Sequence, residues 1–319
     1  MATSGSYDFT INRNQLIKEA LEKIGVVDPT ATPSDALIES TALKLNIMTK
    51  AWMARGLHLW RRIEATLFLE ASKQVYLLGP AGDHCTAEIN AVQASTTGIT
   101  AMRVAGVSTD TTLEVDSTTG MTAGDYIGVV CDDNTIHWTT IVTVTDSDTV
   151  TITTGLDAAA AVDNAVYHYT SKIQRPLRIE TVALRRNGID SELFPIADRD
   201  YQRLSTKGTT GSPSQFYYDA QRDTAGRLHV WLPTSTVNDT LYLIGHRPVQ
   251  DFDAAEDNLD FPIEWARPLV YGLAYDIAPG HGIPLEERAL LKIDRDEALA
   301  DVDGWDIEDT SIYFGVDRQ

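Results

Sequence analysis

Between Pro33 and Arg62 the apolar positions fall at three- and four-residue steps. Leu37, Ile38, Ala42, Leu45, Met48 and Trp52 draw one stripe along a helix. Thr32 as cap, Pro33 at the first helical position and Asp35 within the first turn mark its start, and Gly56 is the natural stop or kink. The spacing predicts a helix over 33–61. A shorter helix is predicted over 12–25. Asn12 and Gln15 are set to cap each other, Leu16, Ile17, Ala20, Leu21 and Ile24 form the stripe, and Gly25 ends it. Helical period returns near the other end of the chain. Over 262–278 it runs through Ile263, Leu269, Val270, Leu273, Ala274 and Ile277, with Pro268 expected to kink the segment. Over 284–303 it runs through Leu285, Ala289, Leu290, Ile293 and Leu299. A stripe of this kind needs cover, and the two ends of the chain are the natural partners for each other.

Between these helical ends the period changes from 3.6 to 2. TLFL (66–69) and QVYLL (74–78) read as two strands of a hairpin turning at 71–73, followed by the breaker cluster Gly79-Pro80-Ala81-Gly82-Asp83. Residues 86–170 lack lysine and alternate short β-prone runs (TTLEV, YIGVVCD, IHWTTIVTV, TVTIT, AVYHYT) with turn residues, the pattern of a small antiparallel β-domain inserted into a host. Residues 171–250 give five more strand candidates, RIETVALRR, SELFPIA, SQFYYDA, RLHVWLP and DTLYLIGHRP, with NGIDS and TTGSPS as turns and Asp198–Leu204 as one or two helical turns. The predicted class is α+β. N- and C-terminal helices form a bundle, joined to a β-strand region, with a small antiparallel β-domain inserted. The body is 1–85 with 171–319, the insert is 86–170, and 304–319 is a tail. That tail keeps Trp305, Ile307, Ile312, Tyr313 and Phe314 without helical or strand period. It reads either as an arm that docks on another protein or as a segment packed back on its own domain.

Charge narrows the function classes. The chain has 319 residues and a net charge of −20. Residues 86–170 hold 1 basic against 11 acidic groups, and 251–319 hold 5 against 18; residues 171–250 lean basic, 11 against 8. A protein that grips nucleic-acid phosphates needs a basic face, which this distribution opposes. No apolar run approaches a membrane span, and MATSGSYDF lacks the basic-then-apolar pattern of a secretory leader. Two cysteines, Cys85 and Cys131, allow one bridge at most and read as reduced thiols.

The order of segments resembles the head-to-tail adaptor proteins of short-tailed bacteriophages, the tail accessory or tail-tubular type. The resemblance is carried by ALKLNIMTKAWMARGLHLW, then a hairpin, then QVYLLGPAGD with Tyr76, Leu78, Gly79 and Pro80 at its turn. It continues through RPLRIETV (175–182), DYQRLSTKGTTGSPSQFYYD (200–219), GRLHVWLP (226–233) and FPIEWARPLVYGLAYDIAP (261–279), and so spans the chain apart from the acidic insert. It implies a structural virion protein, made in the host cytoplasm, that forms a ring of twelve copies beneath the portal. Such a ring extends the DNA channel and carries the nozzle and fibres. It implies that the helical part meets neighbouring copies, with Trp52, Arg55, Trp60, Arg61 and Arg62 as the inter-subunit candidates. It also implies that the tail arm, through Trp305, Ile307, Ile312, Tyr313 and Phe314, docks on the portal. DNA would pass without specific binding, past walls whose acidity avoids gripping phosphate.

Chemistry is sparse beside this. There is no P-loop, dinucleotide fingerprint, HExxH or nucleophile elbow, so no catalytic residue, cofactor site or enzymatic activity is predicted. His84-Cys85, His137 and Cys131-Asp132-Asp133 match no zinc spacing, and no metal is assigned to them. Asp146-x-Asp148 lacks the remaining calcium ligands and reads as a hairpin turn; Glu286-Glu287 suits a helix start. Two alternatives stay open. One is a tail-associated cell-wall hydrolase, which needs a carboxylate pair that no spacing singles out. The other is a glycan-binding tail component using Tyr126, Trp138, Tyr167 and Tyr169 of the insert, residues that read more readily as β-core aromatics.

Overall fold

The computed structural model describes residues 5–6, 8–53, 59–87, 99–221 and 224–304. The chain divides into two compact units, one of residues 1–61 with 249–319 and one of 62–248.

The first unit is helical. Helix α1 (Arg13–Lys23) opens on a complete capping box: the Gln15 amide donates to Asn12 Oδ1 at 2.9 Å and the Asn12 amide to Gln15 Oε1 at 3.0 Å. Helix α2 (Asp35–Met53) starts two residues later than the sequence pattern predicts, with the Ser34 carbonyl accepting from the amides of Leu37 and Ile38. The predicted stretch 54–58 lies outside the described residues. Pro268 breaks no continuous helix. A 3-10 turn (Ile263–Trp265) leads into helix α4 (Ala266–Ile277), where Pro268 sits in the first turn, whose amides have no helical acceptor to lose. Helix α5 runs Leu285–Asp303, and α4 packs on α1, α2 and α5. One core joins them: Leu16, Ile17 and Leu21 of α1, Leu45 and Met48 of α2, Leu269, Leu273 and Ile277 of α4, and Leu291 and Val302 of α5. The acidic connector is pinned to the same core. Asn46 clasps the Phe252 backbone, donating to its carbonyl at 3.3 Å and accepting from its amide at 3.0 Å.

Among its described residues the second unit holds fourteen strands in two sheets. This corrects the predicted class: with 27% of the described residues helical and two large curled sheets, the protein is mostly β and is not a helical bundle carrying a small β-domain. The physical reason is core count. The helices share one apolar cluster, whereas the β-prone runs of 62–248 are dense enough in Val, Ile, Leu and aromatics to build three.

The larger sheet contains β1 (Arg62–Phe68), β2 (Val75–Leu78), β3 (Cys85–Thr86), β10 (Arg178–Arg186), β11 (Ile189–Pro195), β12 (Gln215–Asp219), β13 (Gly226–Trp231) and β14 (Thr240–His246). Its order is β2-β13-β12-β11-β10-β14-β1-β3. The predicted hairpin of β1 with β2 does not form, because β14 and β3 occupy the two edges of β1 while β2 pairs with β13. The sheet's two outer strands, β2 and β3, are nonetheless joined by residues 79–84 alone. A flat sheet of eight strands would hold its edges roughly 34 Å apart, and that connection reaches at most about 25 Å, so the sheet has to curl. The tight β10–β11 turn is Asn187-Gly188, with φ of 51° and 75°; two consecutive positive values are the reason for that residue pair. The helical turn predicted at 198–204 is α3 (Asp198–Arg203).

The smaller sheet is built from the insert: β4 (Ile99–Ala101), β5 (Thr112–Glu114), β6 (Tyr126–Val130), β7 (Ile136–Val144), β8 (Thr149–Ile152) and β9 (Ala165–Tyr169), in the order β4-β9-β6-β7-β8-β5 and antiparallel throughout. It encloses its own core around Ile127, Val129, Ile141, Val150 and Val166.

Candidate interaction surface

Four of the five residues singled out for contact between copies lie among the described residues. Trp52 is half-buried, its indole lying so close to α4 that a Cβ on Gly272 would come within 2.5 Å of the ring. Trp60 stacks in a tilted trio with Phe261 (5.0 Å) and Trp265 (6.0 Å). Arg61 is buried, and its Nη1 donates to the Met53 carbonyl at 3.2 Å. These three side chains are spent inside the helical unit. Arg62 is exposed at the start of β1, opposite His246. Arg55 and the arm residues Trp305, Ile307, Ile312, Tyr313 and Phe314 lie outside the described residues.

The helical unit shows a different surface, and it comes from the stripes themselves. Of the stripe predicted for α5, Leu285, Ala289, Leu290 and Ile293 are exposed, at 76% for Leu285, 62% for Leu290 and 53% for Ile293, while Leu299 is half-buried against the core. The residues that α5 buries are Leu291, Ala298 and Val302. Helix α2 turns its predicted stripe inward, with Ala42, Leu45 and Met48 buried and Leu37, Ile38 and Trp52 half-buried, and carries a second one on its exposed side: Ala36, Ser40, Leu43, Ile47 and Ala51, with Leu43 at 63% and Ile47 at 61% exposure. The spacing of that second stripe, four or three residues at each step, is readable in the sequence. The signal was masked by the stronger run of Leu45, Met48 and Trp52 beside it. Isolated exposed apolar side chains are ordinary on proteins; aligned rows on two helices of one unit are the mark of an interaction surface.

The chemistry-bearing groups are dispersed or already engaged. Cys85 on β3 and Cys131 just past the end of β6 are both free and buried, and burial pushes both thiols up, away from the reactive thiolate. His137 is held between Asp157 (Nδ1 to Oδ2, 2.7 Å) and the Thr154 carbonyl (3.1 Å). Asp146 accepts from the Asp148 amide in the β7–β8 turn, and Asp148 pairs with Arg103. Glu286 and Glu287 stand in the first turn of α5. Among the described residues no group of three or more His, Cys, Asp or Glu is arranged to hold a metal ion.

The four insert aromatics belong to the seam between the two sheets. Phe68 of β1 meets Trp138 (5.1 Å), Tyr167 (4.7 Å) and Tyr169 (6.1 Å). His84 stacks on Trp138 at 3.8 Å and 5°, and its Nδ1 is hydrogen-bonded to Tyr169 Oη at 2.5 Å. Tyr126 lies 5.2 Å from Tyr169, with Lys172 Nζ 5.2 Å from the Tyr126 ring centroid. Burial, then the Lys172 and Lys73 charges, lower the His84 pKa to about 3, so the ring in this seam is neutral.

No protein-family model matches the chain, and no curated protein matches its sequence. Among the described residues no helix is long and apolar enough to cross a membrane.

Proposed function

We propose that this chain is a structural virion protein, a head-to-tail adaptor that assembles as a ring of twelve copies between portal and tail. In this reading the ring extends the DNA channel, presents a platform for nozzle and fibre proteins, and binds no cofactor. The observation that carries it is the outward-facing stripe of α5 together with the second stripe of α2. Five large aliphatic side chains are left in water there. Burying each one fully contributes roughly 1.5–3 kcal/mol, enough to hold copies together once the entropy of association is offset. The segment order quoted above supplies the class of assembly. The net charge of −20 suits a conduit past which phosphate slides without being held. Residues 304–319 remain the proposed portal-docking arm.

The cell-wall hydrolase and the glycan-binding tail component are not favoured by any observation among the described residues. The aromatics that a sugar would stack on, Tyr126, Trp138, Tyr167 and Tyr169, are stacked on one another and on His84 and Phe68.

Native mass measurement of the purified protein, alone and mixed with the portal protein of the same phage, tests the proposal. The expected result is a closed oligomer in one or both conditions. A monomer that joins no portal assembly overturns it.

A further inference from the structure

We infer that the exposed stripe of α5 in one copy is covered by the exposed stripe of α2 in the next copy. The contact is heterologous, between two different faces of the same unit. This rests on the self-assembly proposed above and names the surfaces that make it.

Three observations on the helical unit converge on that pairing. The first is closure. An isologous α5–α5 contact would leave Leu43 and Ile47 of α2 in water, and an isologous α2–α2 contact would leave Leu285, Leu290 and Ile293. A heterologous contact covers both stripes at every junction, and contacts of this kind propagate into rings when the rotation closes.

The second is charge. Helix α5 carries Glu286, Glu287, Asp294, Asp296, Glu297, Asp301 and Asp303 against Arg288, Lys292 and Arg295, so two α5 faces repel. Helix α2 balances Asp35 and Glu39 with Lys44 and Lys50 and presents no such barrier.

The third is shape. The α2 stripe sets Leu43 and Ile47 side by side, flanked by the small Ala36 and Ser40 on one side and Ala51 on the other, while α5 offers bulky Leu285, Leu290 and Ile293. Large side chains of one face have small ones to pack over on the other. Leu43–Ile47 and Leu285–Ala289–Ile293 are both four-residue rows, the ridges that interdigitate when two helices cross at about −50°.

The test uses the full chain. Cys85 and Cys131 are buried, so a cysteine placed on either stripe supplies an accessible thiol without removing the native ones. Ile47→Cys and Ile293→Cys chains are prepared separately, mixed, and treated with a short bis-maleimide, alongside each chain treated alone. The expected result is a covalent dimer in the mixture and almost none in either chain alone. Ile47→Asp and Ile293→Asp, each a charge on an exposed position, are expected to dissociate the oligomer without moving the thermal unfolding of the monomer. If the wild-type protein assembles but the mixture gives no cross-link, or either chain cross-links to itself instead, the α2–α5 pairing is wrong and the ring proposal stands. If the wild-type protein is a monomer with and without portal, both fail.

Discussion

A methyl group on Gly272 would sit within 2.5 Å of the Trp52 indole, in the middle of α4. Glycine inside a helix ordinarily costs about 1 kcal/mol relative to alanine, so Gly272→Ala would be stabilising on propensity alone. Overpacking a filled core costs roughly 1–3 kcal/mol, and here it wins: urea denaturation is expected to show a net loss. Trp52→Phe in the same chain should recover part of it, a non-additivity that a mere propensity effect would not give. His84 makes the second prediction at this scale. Its folded pKa is depressed to about 3, below the ordinary value near 6.5. Between these values the unfolded chain binds a proton that the folded chain refuses. Stability from this group is therefore complete above about pH 6.5 and is lost as pH falls toward 3. Replacing His84 by Phe keeps a ring against Trp138 and removes the titration, so the drop in melting temperature between pH 6.5 and 4.5 should become shallower. An unchanged slope would place the acid sensitivity elsewhere. Neither site was legible in the sequence. Gly272 and Trp52 are far apart along the chain, and His84 meets Trp138 and Tyr169 only because two sheets bring them together.

Helices were legible where local chemistry sets them. The α1 capping box was readable from Asn12 and Gln15 alone, and Asn12→Ala is expected to cost about 1 kcal/mol of stability by chemical denaturation. The Asn46 clasp was not readable, because it joins α2 to Phe252 across more than two hundred residues. Asn46→Ala strips a donor and an acceptor from the Phe252 backbone and is expected to cost about 1–3 kcal/mol, with faster hydrogen exchange over 250–257 as its local readout. The direction of α5 marks a real limit of pattern reading. Periodicity shows that Leu285, Ala289, Leu290 and Ile293 share a face, but not what that face meets. Its buried side turned out to be the sparser row of Leu291, Ala298 and Val302. Strands of 171–250 emerged near their expected positions because alternation and turn residues are local. Their partners did not, since β1 lies beside β14 and β3 rather than β2.

At the scale of the molecule, the insert leaves and rejoins its host at neighbouring points. Cys85, on β3, accepts from the Ile173 amide at 3.0 Å just after the insert's last strand. The eight-stranded sheet therefore needs only a short bridge to close over a missing insert, and its core of Leu67, Tyr76, Val182, Leu228 and Leu241 is complete without it. The cost of excision falls on the seam, where Phe68 and His84 lose Trp138, Tyr167 and Tyr169. Exposing Phe68 in this way costs roughly 1.5–3 kcal/mol. Replacing 88–169 by a short Gly/Ser linker is expected to give a folded protein with a lower melting temperature, part of which Phe68→Thr restores in solubility if not in stability. Loss of cooperative unfolding on excision would show instead that the two sheets fold as one. The same variant separates the insert from assembly. Both exposed stripes lie in the helical unit, on α2 and α5, and the excised chain keeps them. It should therefore self-associate like the full chain, carrying 11 fewer acidic groups and 1 fewer basic. An excised protein that folds but no longer assembles, by native mass measurement, would move the contact between copies from the helices to the insert.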